Sequence, residues 1–385
     1  MKKYLLCVAV ISMSATLLTS CLGDDSKDGD TPMEIPVTNG VFVINNGSSY
    51  QGIDGSLTYL DQKRAGSVER DIYKKINGKS LGGTPNDVMV YGQKVYVVGS
   101  DENTIFVLDV RTCKELKQVS TTELLGDAEG RTPRRIAAYE DKVYFTTYGG
   151  YVAAIDTLNF KLQQTYQVGS APEGLTFGIN SSYIPTLYVA NSDYGYGEGS
   201  ISKIDITSGS VTEIKNDKVK NPQEIAVADE VLYVLDYGHY NDDWTLQEDA
   251  GVYMISNNEA KLIIPNATGM AAAGYMIYTF NDPWGGSGAT YNTYDIRSNY
   301  LTTLDLSGDS DHKLISPCAI SVDLVSGKIL IASRPLDPDT GYPSYAMPGF
   351  VNIYNNSGQF QESFETGVEP HKIEPSYGIA KVVYQ

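Results

Sequence analysis

A short pattern that recurs seven times along the chain constrains its fold more than any other feature of the sequence. The pattern is a proline, two variable residues and an aliphatic residue, repeated at intervals of 39 to 53 residues. The complete copies begin at Pro85, Pro133, Pro172, Pro222, Pro317 and Pro370, and a degenerate copy runs from Ala267 to Met270. Self-similarity at this period indicates a repeat architecture rather than several unrelated domains.

Each copy is followed by further β-rich runs. A second strand is predicted behind the proline, as in Val95–Val98, Val143–Thr146, Leu187–Ala190 and Leu232–Leu235. A third strand then ends in an aliphatic residue and aspartate, at Leu108-Asp109, Ile155-Asp156, Ile204-Asp205 and Leu304-Asp305. β-Branched and aromatic residues cut by Gly, Asn and Asp are typical of strands and turns. Four strands in about 45 residues make one propeller blade, so the sequence predicts an all-β, seven-bladed β-propeller with four-stranded antiparallel blades.

The ends of the chain are expected to share one blade. The run Val41–Ile44 resembles a second strand with no first strand before it, and the Pro370 copy resembles a first strand with no complete blade after it. Joining them would close the ring and protect the last sheet edge. Residues Lys381–Tyr384 also resemble a second strand, so two segments compete for that position.

The first twenty residues have the features of an export signal. Lys2 and Lys3 precede an apolar stretch, which is followed by Leu18-Thr19-Ser20-Cys21. Small residues before a cysteine at this point favour cleavage by the lipoprotein signal peptidase, although an ordinary secretory signal is the alternative. We therefore expect a signal peptide at 1–20, an acidic flexible tether at 21–38 that starts at lipidated Cys21, and the propeller at 39–385.

Charge and cysteine content limit the partners of the chain. The formal net charge is −18, and it becomes about −20 when Lys2 and Lys3 are removed. So acidic a surface disfavours nucleic acid and broad contact with anionic membranes. Cys113 and Cys318 remain after processing, and buried free thiols are expected at both positions.

Unusually long aromatic loops predict a ligand site. The connections from strand two to strand three and from strand four to the next strand one leave a propeller on the same face, and four of the former are long. Tyr and Trp combine flat apolar area with a polar group, so these loops are expected to form a wall around a central pocket, although they could merely pack on one another. The loop candidates are Tyr194, Tyr196, Tyr237, His239, Tyr240, Trp244, Trp284, Tyr291, Tyr294, Arg334, Tyr342 and Tyr345.

The residues that follow the repeat prolines are expected to point toward the same place. They are Asn86, Arg134, Arg135, Glu173, Gln223 and His371. Arg134 and Arg135 stand out in an acidic chain and could hold a phosphate or carboxylate. His371 could be a metal ligand, but a structural role is the simpler interpretation. The alternative for the whole set is bonding to loop backbone groups.

Recognised catalytic signatures are missing from the sequence. It contains neither an HExxH zinc motif nor a GxSxG nucleophile elbow, and it has three histidines, His239, His312 and His371. Asp337-Pro338-Asp339 does not fit an ordered calcium loop. Binding without turnover, and without a metal or catalytic cofactor, is therefore the prediction.

The lipobox, the acidic tether and the repeats together resemble a known family. They are similar to the YncE-like seven-bladed surface lipoproteins of Bacteroidota, and within them to the BtuG-type cobalamin-capture proteins. The run Val41–Gly47 resembles the opening strand and Asn-x-Gly turn of that group. The resemblance implies a lipoprotein on the outside of the outer membrane that binds a corrinoid and passes it to a TonB-dependent barrel.

Other functions fit the same architecture. One is capture of haem or a glycan fragment by the same face. A second is a lactonase-type propeller enzyme with a metal in its centre, and a third is a scaffold whose aromatic loops touch a protein partner.

Overall fold

The computed structural model describes residues 33–63, 66–179, 183–228, 231–241, 246–282, 288–308 and 312–382, which consist mainly of β-strands. The strands are β1 Met33–Asn45, β2 Ser56–Asp61, β3 Ser67–Glu69, β4 Pro85–Tyr91, β5 Lys94–Gly99, β6 Thr104–Asp109, β7 Glu115–Ser120, β8 Pro133–Tyr139, β9 Lys142–Thr147, β10 Tyr151–Asp156, β11 Leu162–Gln167, β12 Pro172–Ile179, β13 Pro185–Asn191, β14 Ser200–Asp205, β15 Val211–Ile214, β16 Pro222–Ala228, β17 Val231–Asp236, β18 His239–Tyr240, β19 Leu246–Glu248, β20 Gly251–Ser256, β21 Glu259–Pro265, β22 Gly269–Ala273, β23 Met276–Asn281, β24 Thr290–Asp295, β25 Tyr300–Thr303, β26 Ser316–Val322, β27 Ile329–Arg334, β28 Pro348–Tyr354, β29 Phe360–Val368 and β30 Pro370–Val382. The short helices are α1 Ile72–Asn77 and α2 Thr121–Leu125.

The strands of the described ranges form seven four-stranded antiparallel sheets, as the repeat predicts. Each sheet begins with the strand that carries a repeat copy, which we call its first strand. The sheets are β4-β5-β6-β7 (sheet 1), β8-β9-β10-β11 (sheet 2), β12-β13-β14-β15 (sheet 3), β16-β17-β20-β21 (sheet 4), β22-β23-β24-β25 (sheet 5), β26-β27-β28-β29 (sheet 6) and β30-β1-β2-β3 (sheet 7). A small hairpin, β18-β19, lies in the loop between strands two and three of sheet 4.

Sheet 7 combines the two ends of the folded chain. Strand β1 pairs with β2 on one side and with β30 on the other, which confirms Val41–Ile44 as a second strand and the Pro370 copy as a first strand. Lys381 pairs with Glu34, so residues 381 and 382 prolong the first strand. The competition between the two candidate second strands is thereby resolved in favour of the N-terminal segment.

Most repeat prolines are followed by a break in strand register. The register with the second strand shifts just after Pro85, Pro133, Pro172, Pro222 and Pro317. Proline cannot donate a hydrogen bond to a sheet ladder, and a bulge next to it turns the following side chains out of the regular alternation. The two variable residues of the repeat are therefore directed away from the sheet.

An aspartate at the end of the third strand closes the turn into the fourth. Asp109 Oδ1 accepts hydrogen bonds from the backbone N–H groups of Arg111 and Thr112, and Asp156, Asp205 and Asp295 make the same contacts. Such Asx turns explain the aliphatic-Asp signal. In sheet 5, however, the prediction for Leu304-Asp305 is wrong: the third strand ends at Tyr294-Asp295, and Leu304 follows the fourth strand.

The hydrophobic core lies between sheets rather than within them. Val98 and Ile105 of sheet 1 pack with Phe145 and Ile155 of sheet 2, for example. The other clusters of described residues join sheets 2 and 3, 3 and 4, 4 and 5, 5 and 6, 6 and 7, and 7 and 1. A buried side chain of this size contributes about 1.5–3 kcal/mol, so each sheet depends on its neighbours for stability.

Candidate functional site

The long connections emerge at one end of the sheets, as predicted. Pro172, at the start of a first strand, lies opposite Asn191, at the end of a second strand, so the connections to both lie at the same end. We call this end the loop face. Long two-to-three connections occupy 192–199, 237–250, 282–289 and 335–347, whereas those at 100–103 and 148–150 are short. Residues 46–55 form a fifth long connection, with fully exposed Tyr50, that the sequence did not single out.

Two predicted loop tyrosines lie in a strand instead. Tyr291 and Tyr294 belong to β24, and both are buried in clusters between neighbouring sheets. The hydroxyl of Tyr294 donates to Asn299 Oδ1 at 2.9 Å. They are therefore core residues, which corrects their placement in the aromatic wall. Trp244, Trp284 and the proposed lipidation site Cys21 lie outside the described residues.

Arg134 forms a compact unit with a tyrosine and a glutamate. Its Nε donates to both oxygens of Glu173, at 3.0 and 3.2 Å, and its guanidinium lies 4.7 Å from the ring centre of Tyr148. The hydroxyl of Tyr148 donates to Glu173. The side chain of Glu173 is 3 % exposed. A planar guanidinium suits this combination of stacking and carboxylate pairing, which holds all three groups in one arrangement.

Two loop tyrosines continue from this unit toward solvent. The ring of Tyr194 lies 5.0 Å from that of Tyr148 in an edge arrangement, and the ring of Tyr196 lies 6.3 Å from that of Tyr194. Tyr194 is 47 % exposed and Tyr196 is 77 % exposed. We call Tyr148, Tyr194 and Tyr196 the tyrosine row. Their rings offer flat apolar area at low cost in side-chain entropy, so the row is suited to contact a planar ligand.

Arg135 brings together first strands that are far apart in the sequence. Its guanidinium donates to the carbonyl of Asn86 on β4 at 2.9 Å and pairs with Glu224 on β16 at 3.0 Å. It also lies 3.4 Å from His371 Nε2 on β30. Three first strands therefore converge on one arginine of a fourth. We call Arg135, Glu224, His371 and Lys372 the central cluster.

The charged groups of the central cluster shift one another's pKa values. The Arg135 guanidinium holds the pKa of Glu224 below its ordinary value although burial opposes this. The carboxylate of Glu224 does most to raise the pKa of Lys372. Burial, and then the cations Arg135 and Arg134, lower the pKa of His371 far below its usual range, so its imidazole is neutral and accepts from Arg135. Arg134 and Arg135, predicted as anion ligands, thus already have carboxylate partners.

A second Arg–Tyr–Glu unit stands on another part of the loop face. Arg334 Nε donates to Glu369 at 2.6 Å, and its guanidinium lies 4.7 Å from the ring centre of Tyr345. A further guanidinium nitrogen donates to Ser316 Oγ, which in turn donates to Asp282. We call the two arrangements the Arg134 unit and the Arg334 unit. Each stacks a loop tyrosine on the arginine of a partly buried ion pair.

The remaining predicted residues divide between structural and exposed positions. Asn86 Nδ2 donates to the Arg134 carbonyl, Gln223 donates to Asn221, and His239 contacts the Gly195 carbonyl at 3.1 Å. The first contact joins two first strands, the second is local, and the third joins two loops. Exposed rings of Tyr237, Tyr240 and Tyr342 remain on the loop face. Near its rim, Ile53, Arg70, Lys74, Pro348 and Val368 border a shallow depression of about 450 Å³.

Sequence reasoning missed several members of these clusters. Tyr148 follows a second strand whose connection is short, and Glu369 precedes a repeat proline. Glu224 and Lys372 occupy the second variable position of the repeat, as Arg135 does. A rule that treated both variable positions alike would have found Glu224 and Lys372; nothing local marks Tyr148 or Glu369.

The described residues hold neither a metal-binding cluster nor a membrane-spanning helix. Within them, no group of three or more His, Cys, Asp or Glu side chains is placed to hold a metal ion. Over the same ranges, no helix is both long and apolar enough to cross a bilayer. Cys113 and Cys318 are free thiols, and Cys318 Sγ contacts the Ser316 carbonyl.

Comparison with known proteins supports the fold. Residues 39–184 match the family described as a domain of unknown function, DUF5074. No match was found among curated proteins. The structure of Kuenenia stuttgartiensis hydrazine synthase is similar with a TM-score of 0.56 and 13 % identity, covering 77 % of this chain and 95 % of that one.

A second solved structure is similar over a larger share of the chain. It is named "putative 6-phosphogluconolactonase" and comes from Bacteroides uniformis ATCC 8492. The TM-score is 0.55 at 14 % identity, and the match covers 89 % of this chain and 100 % of that one. At such identities the similarities concern the fold alone, and they agree with a propeller-like arrangement of sheets.

Proposed function

We propose that this protein is a surface lipoprotein that captures a corrinoid, cobalamin being the leading candidate, and passes it to a TonB-dependent outer-membrane barrel. The anchor would be Cys21, and the protein would face the cell exterior. The sequence supports these parts through the lipobox, the acidic tether and the resemblance to BtuG-type proteins. The loop face supports the binding role, as the following paragraphs argue.

The proposal includes closure of the seven sheets into a seven-bladed propeller. The hydrophobic clusters link each sheet to the next and sheet 7 back to sheet 1. The contacts of Arg135 with β4, β16 and β30 require these strands to surround a common centre. A closed ring satisfies both observations, and it would place the central cluster at its axis.

One observation carries the binding role: the loop face presents exposed tyrosines whose supports are rigid. Tyr148 and Tyr345 are fixed by the two Arg–Tyr–Glu units, and the tyrosine row extends from the first. Ordered aromatic rings lose little freedom when they contact a ligand. A corrin ring offers a broad, nearly flat surface with apolar edges and amide arms, which would contact the rings and nearby polar groups.

Calorimetric titration of the purified protein with cyanocobalamin tests this directly. We expect one tight site, and we expect Tyr196→Ala to weaken it by about 30-fold, the value for losing an aromatic anchor worth about 2 kcal/mol. Tyr183→Ala is the matched control, because Tyr183 is 88 % exposed but lies in the turn at the opposite end of sheet 3. Equal effects of both variants, or no binding by the parent protein, would reject corrinoid capture by this face.

The same preparation distinguishes the other functions. Titration with haem and with glycan fragments covers alternative nutrients. Hydrolysis of 6-phosphogluconolactone covers the enzymatic alternative that the similar structure from Bacteroides uniformis suggests by name. Co-purification of a barrel protein without small-molecule binding would favour a protein-interaction scaffold.

A further inference from the structure

Two terminal strand segments extend beyond the body of sheet 7. Strand β2 pairs with residues 40–45 of β1, whereas β30 pairs with β1 from Asn45 back to Met33. Residues 33–38 and 377–382 therefore form a two-stranded ribbon, to which no third strand is added by any of the described residues. Six residues of strand span about 20 Å. Because β1 reaches the loop face at Asn45, the ribbon leaves the molecule at the opposite end.

Both faces of this ribbon carry apolar side chains. Met33 and Ile35 lie on one face, where Ile35 is opposite Ala380, and Pro36 lies opposite Ile379 on the other. Ile379 is 65 % exposed, and Met33 and Tyr377 are also exposed. The ribbon also carries one ion pair, in which Lys381 Nζ lies 3.4 Å from Glu34 Oε1. Strand alternation puts Tyr377 on the same face as Ile379, whereas Met33 and Ile35 lie on the opposite face. Exposed apolar surface such as that of Tyr377 and Ile379 is unfavourable in water and marks a contact region.

The apolar surface continues onto a neighbouring turn. Leu324 and Val325, in the turn between β26 and β27, are exposed. The backbone N–H of Leu324 donates to the hydroxyl of Tyr377 at 3.0 Å, and Thr38 Oγ1 donates to Asp323 at 2.8 Å. The ribbon is thus fastened to sheet 6. We call Leu324, Val325, Tyr377 and Ile379 the basal patch.

The position of the anchor indicates what covers the basal patch. Cys21 precedes Met33 by twelve residues, and twelve residues span at most about 40 Å. We propose that the basal patch lies against the outer leaflet of the bilayer that holds the acyl chains, so that the loop face is turned toward the medium. Aliphatic side chains beside a tyrosine are the composition of an interfacial contact. This inference rests on the lipid anchor of the proposed function.

The orientation has a consequence for transport. Ligand would be taken from the medium by a face directed away from the membrane. Delivery to a barrel in the same membrane would then require the body to turn over on its tether. The molecule would thus capture ligand with the loop face toward the medium and deliver it with the loop face toward the membrane.

Quenching by lipid-bound nitroxide tests the orientation. The full chain, produced with its signal and checked for acylation by mass, is placed in uncharged vesicles of phosphatidylcholine that carry a nitroxide near the headgroup. A fluorophore is attached at Ile379→Cys, at Tyr196→Cys on the loop face, or at Leu158→Cys. Leu158 is 80 % exposed in the three-to-four turn of sheet 2, at the same end as the ribbon but in another sheet, which makes it the matched control. The unsubstituted protein gives the background from Cys113 and Cys318.

We expect quenching to be several-fold stronger at position 379 than at position 196, with position 158 between them. Serine at Leu324 and Val325 should reduce the quenching at position 379, while cyanocobalamin binding in the same vesicles stays unchanged. Stronger quenching at position 196, or equal quenching at all three sites, overturns the orientation but leaves ligand capture intact. Association of the labelled patch with a second copy of the chain, seen as concentration-dependent quenching without nitroxide, overturns it as well. A chain without acyl chains overturns both the orientation and the proposed anchor.

Discussion

Replacing Glu173 by glutamine should reveal how much the Arg134 unit contributes to stability. The substitution preserves the shape of the side chain and removes its charge. Glu173 accepts bonds from Arg134 Nε and from the hydroxyl of Tyr148, and glutamine has one oxygen left to accept them. Removing one partner of a buried ion pair costs about 3–5 kcal/mol. Because the side chain of Arg134 is 20 % exposed and can regain some hydration, we expect about 3 kcal/mol.

The chain offers a matched control for this measurement. Arg70 and Glu365 form an Arg–Glu pair at 3.1 Å, close to the 3.0 Å of the Arg134–Glu173 pair, but their side chains are 54 % and 59 % exposed. Exposed pairs contribute about 0–1 kcal/mol, so Glu365→Gln should be almost neutral.

Urea unfolding followed by circular dichroism at one pH and ionic strength gives both free energies. At high salt, the loss of unfolding free energy caused by Glu365→Gln should shrink, because salt screens an exposed pair. The loss caused by Glu173→Gln should stay nearly constant, because a buried pair is screened less. Equal destabilisation by the two substitutions would refute the reasoning that burial sets the value of these pairs.

Three further results are expected. Burial raises the pKa of Glu374 from 4.5 to about 7, so folding favours its protonated form. The free energy of unfolding should therefore fall by up to about 3 kcal/mol as the pH rises from about 4.5 to about 7. Glu374→Gln should remove that part of the pH dependence in urea titrations across this range. Phe145→Ala, in the core between sheets 1 and 2, should cost about 3–5 kcal/mol in the same assay, and a loss below about 1 kcal/mol would contradict its packing there. Asp109→Ala should cost about 1 kcal/mol by removing the acceptor of its Asx turn, whereas Asp109→Asn, which keeps an acceptor oxygen, should recover most of it.

The parts of the fold that depend on local chemistry could be predicted from the sequence. Proline at the start of a first strand and aspartate at the end of a third strand each determine the conformation of adjacent residues. Their positions in the sequence therefore mark strand boundaries, and the spacing of these marks reveals the repeat and the strand order. Sheet 7 also followed, because Val41–Ile44 and the Pro370 copy each lacked the strand that the other supplies. The failure at Leu304-Asp305 has a local cause too: Asp295 performs the capping role in sheet 5, behind a tyrosine instead of an aliphatic residue.

The candidate site was less accessible to sequence reasoning. Thr290–Asp295 is rich in Thr, Asn and Tyr and contains no aliphatic residue, so a buried strand resembled an aromatic loop. The partners of Arg135 are 49 to 236 positions away, and no local rule connects such residues. The sequence therefore indicated Arg135 and His371 among the first-strand candidates, but it missed Glu224 and Lys372 and did not show which charges meet. Exposure of Tyr194 and Tyr196 was expected, whereas their support by Tyr148 required the fold.

The composition of sheet 7 affects the order in which the molecule can assemble. Its first strand comes from the last residues of the chain, and its other three strands come from the beginning of the folded region. During synthesis the early strands keep one edge unpaired until the C-terminal segment, more than 300 positions later, has been made. Bringing such distant segments together is entropically costly and slow. A chain of this type would benefit from a chaperone that shields the unpaired edge, and premature termination just before Pro370 would leave that edge open to aggregation.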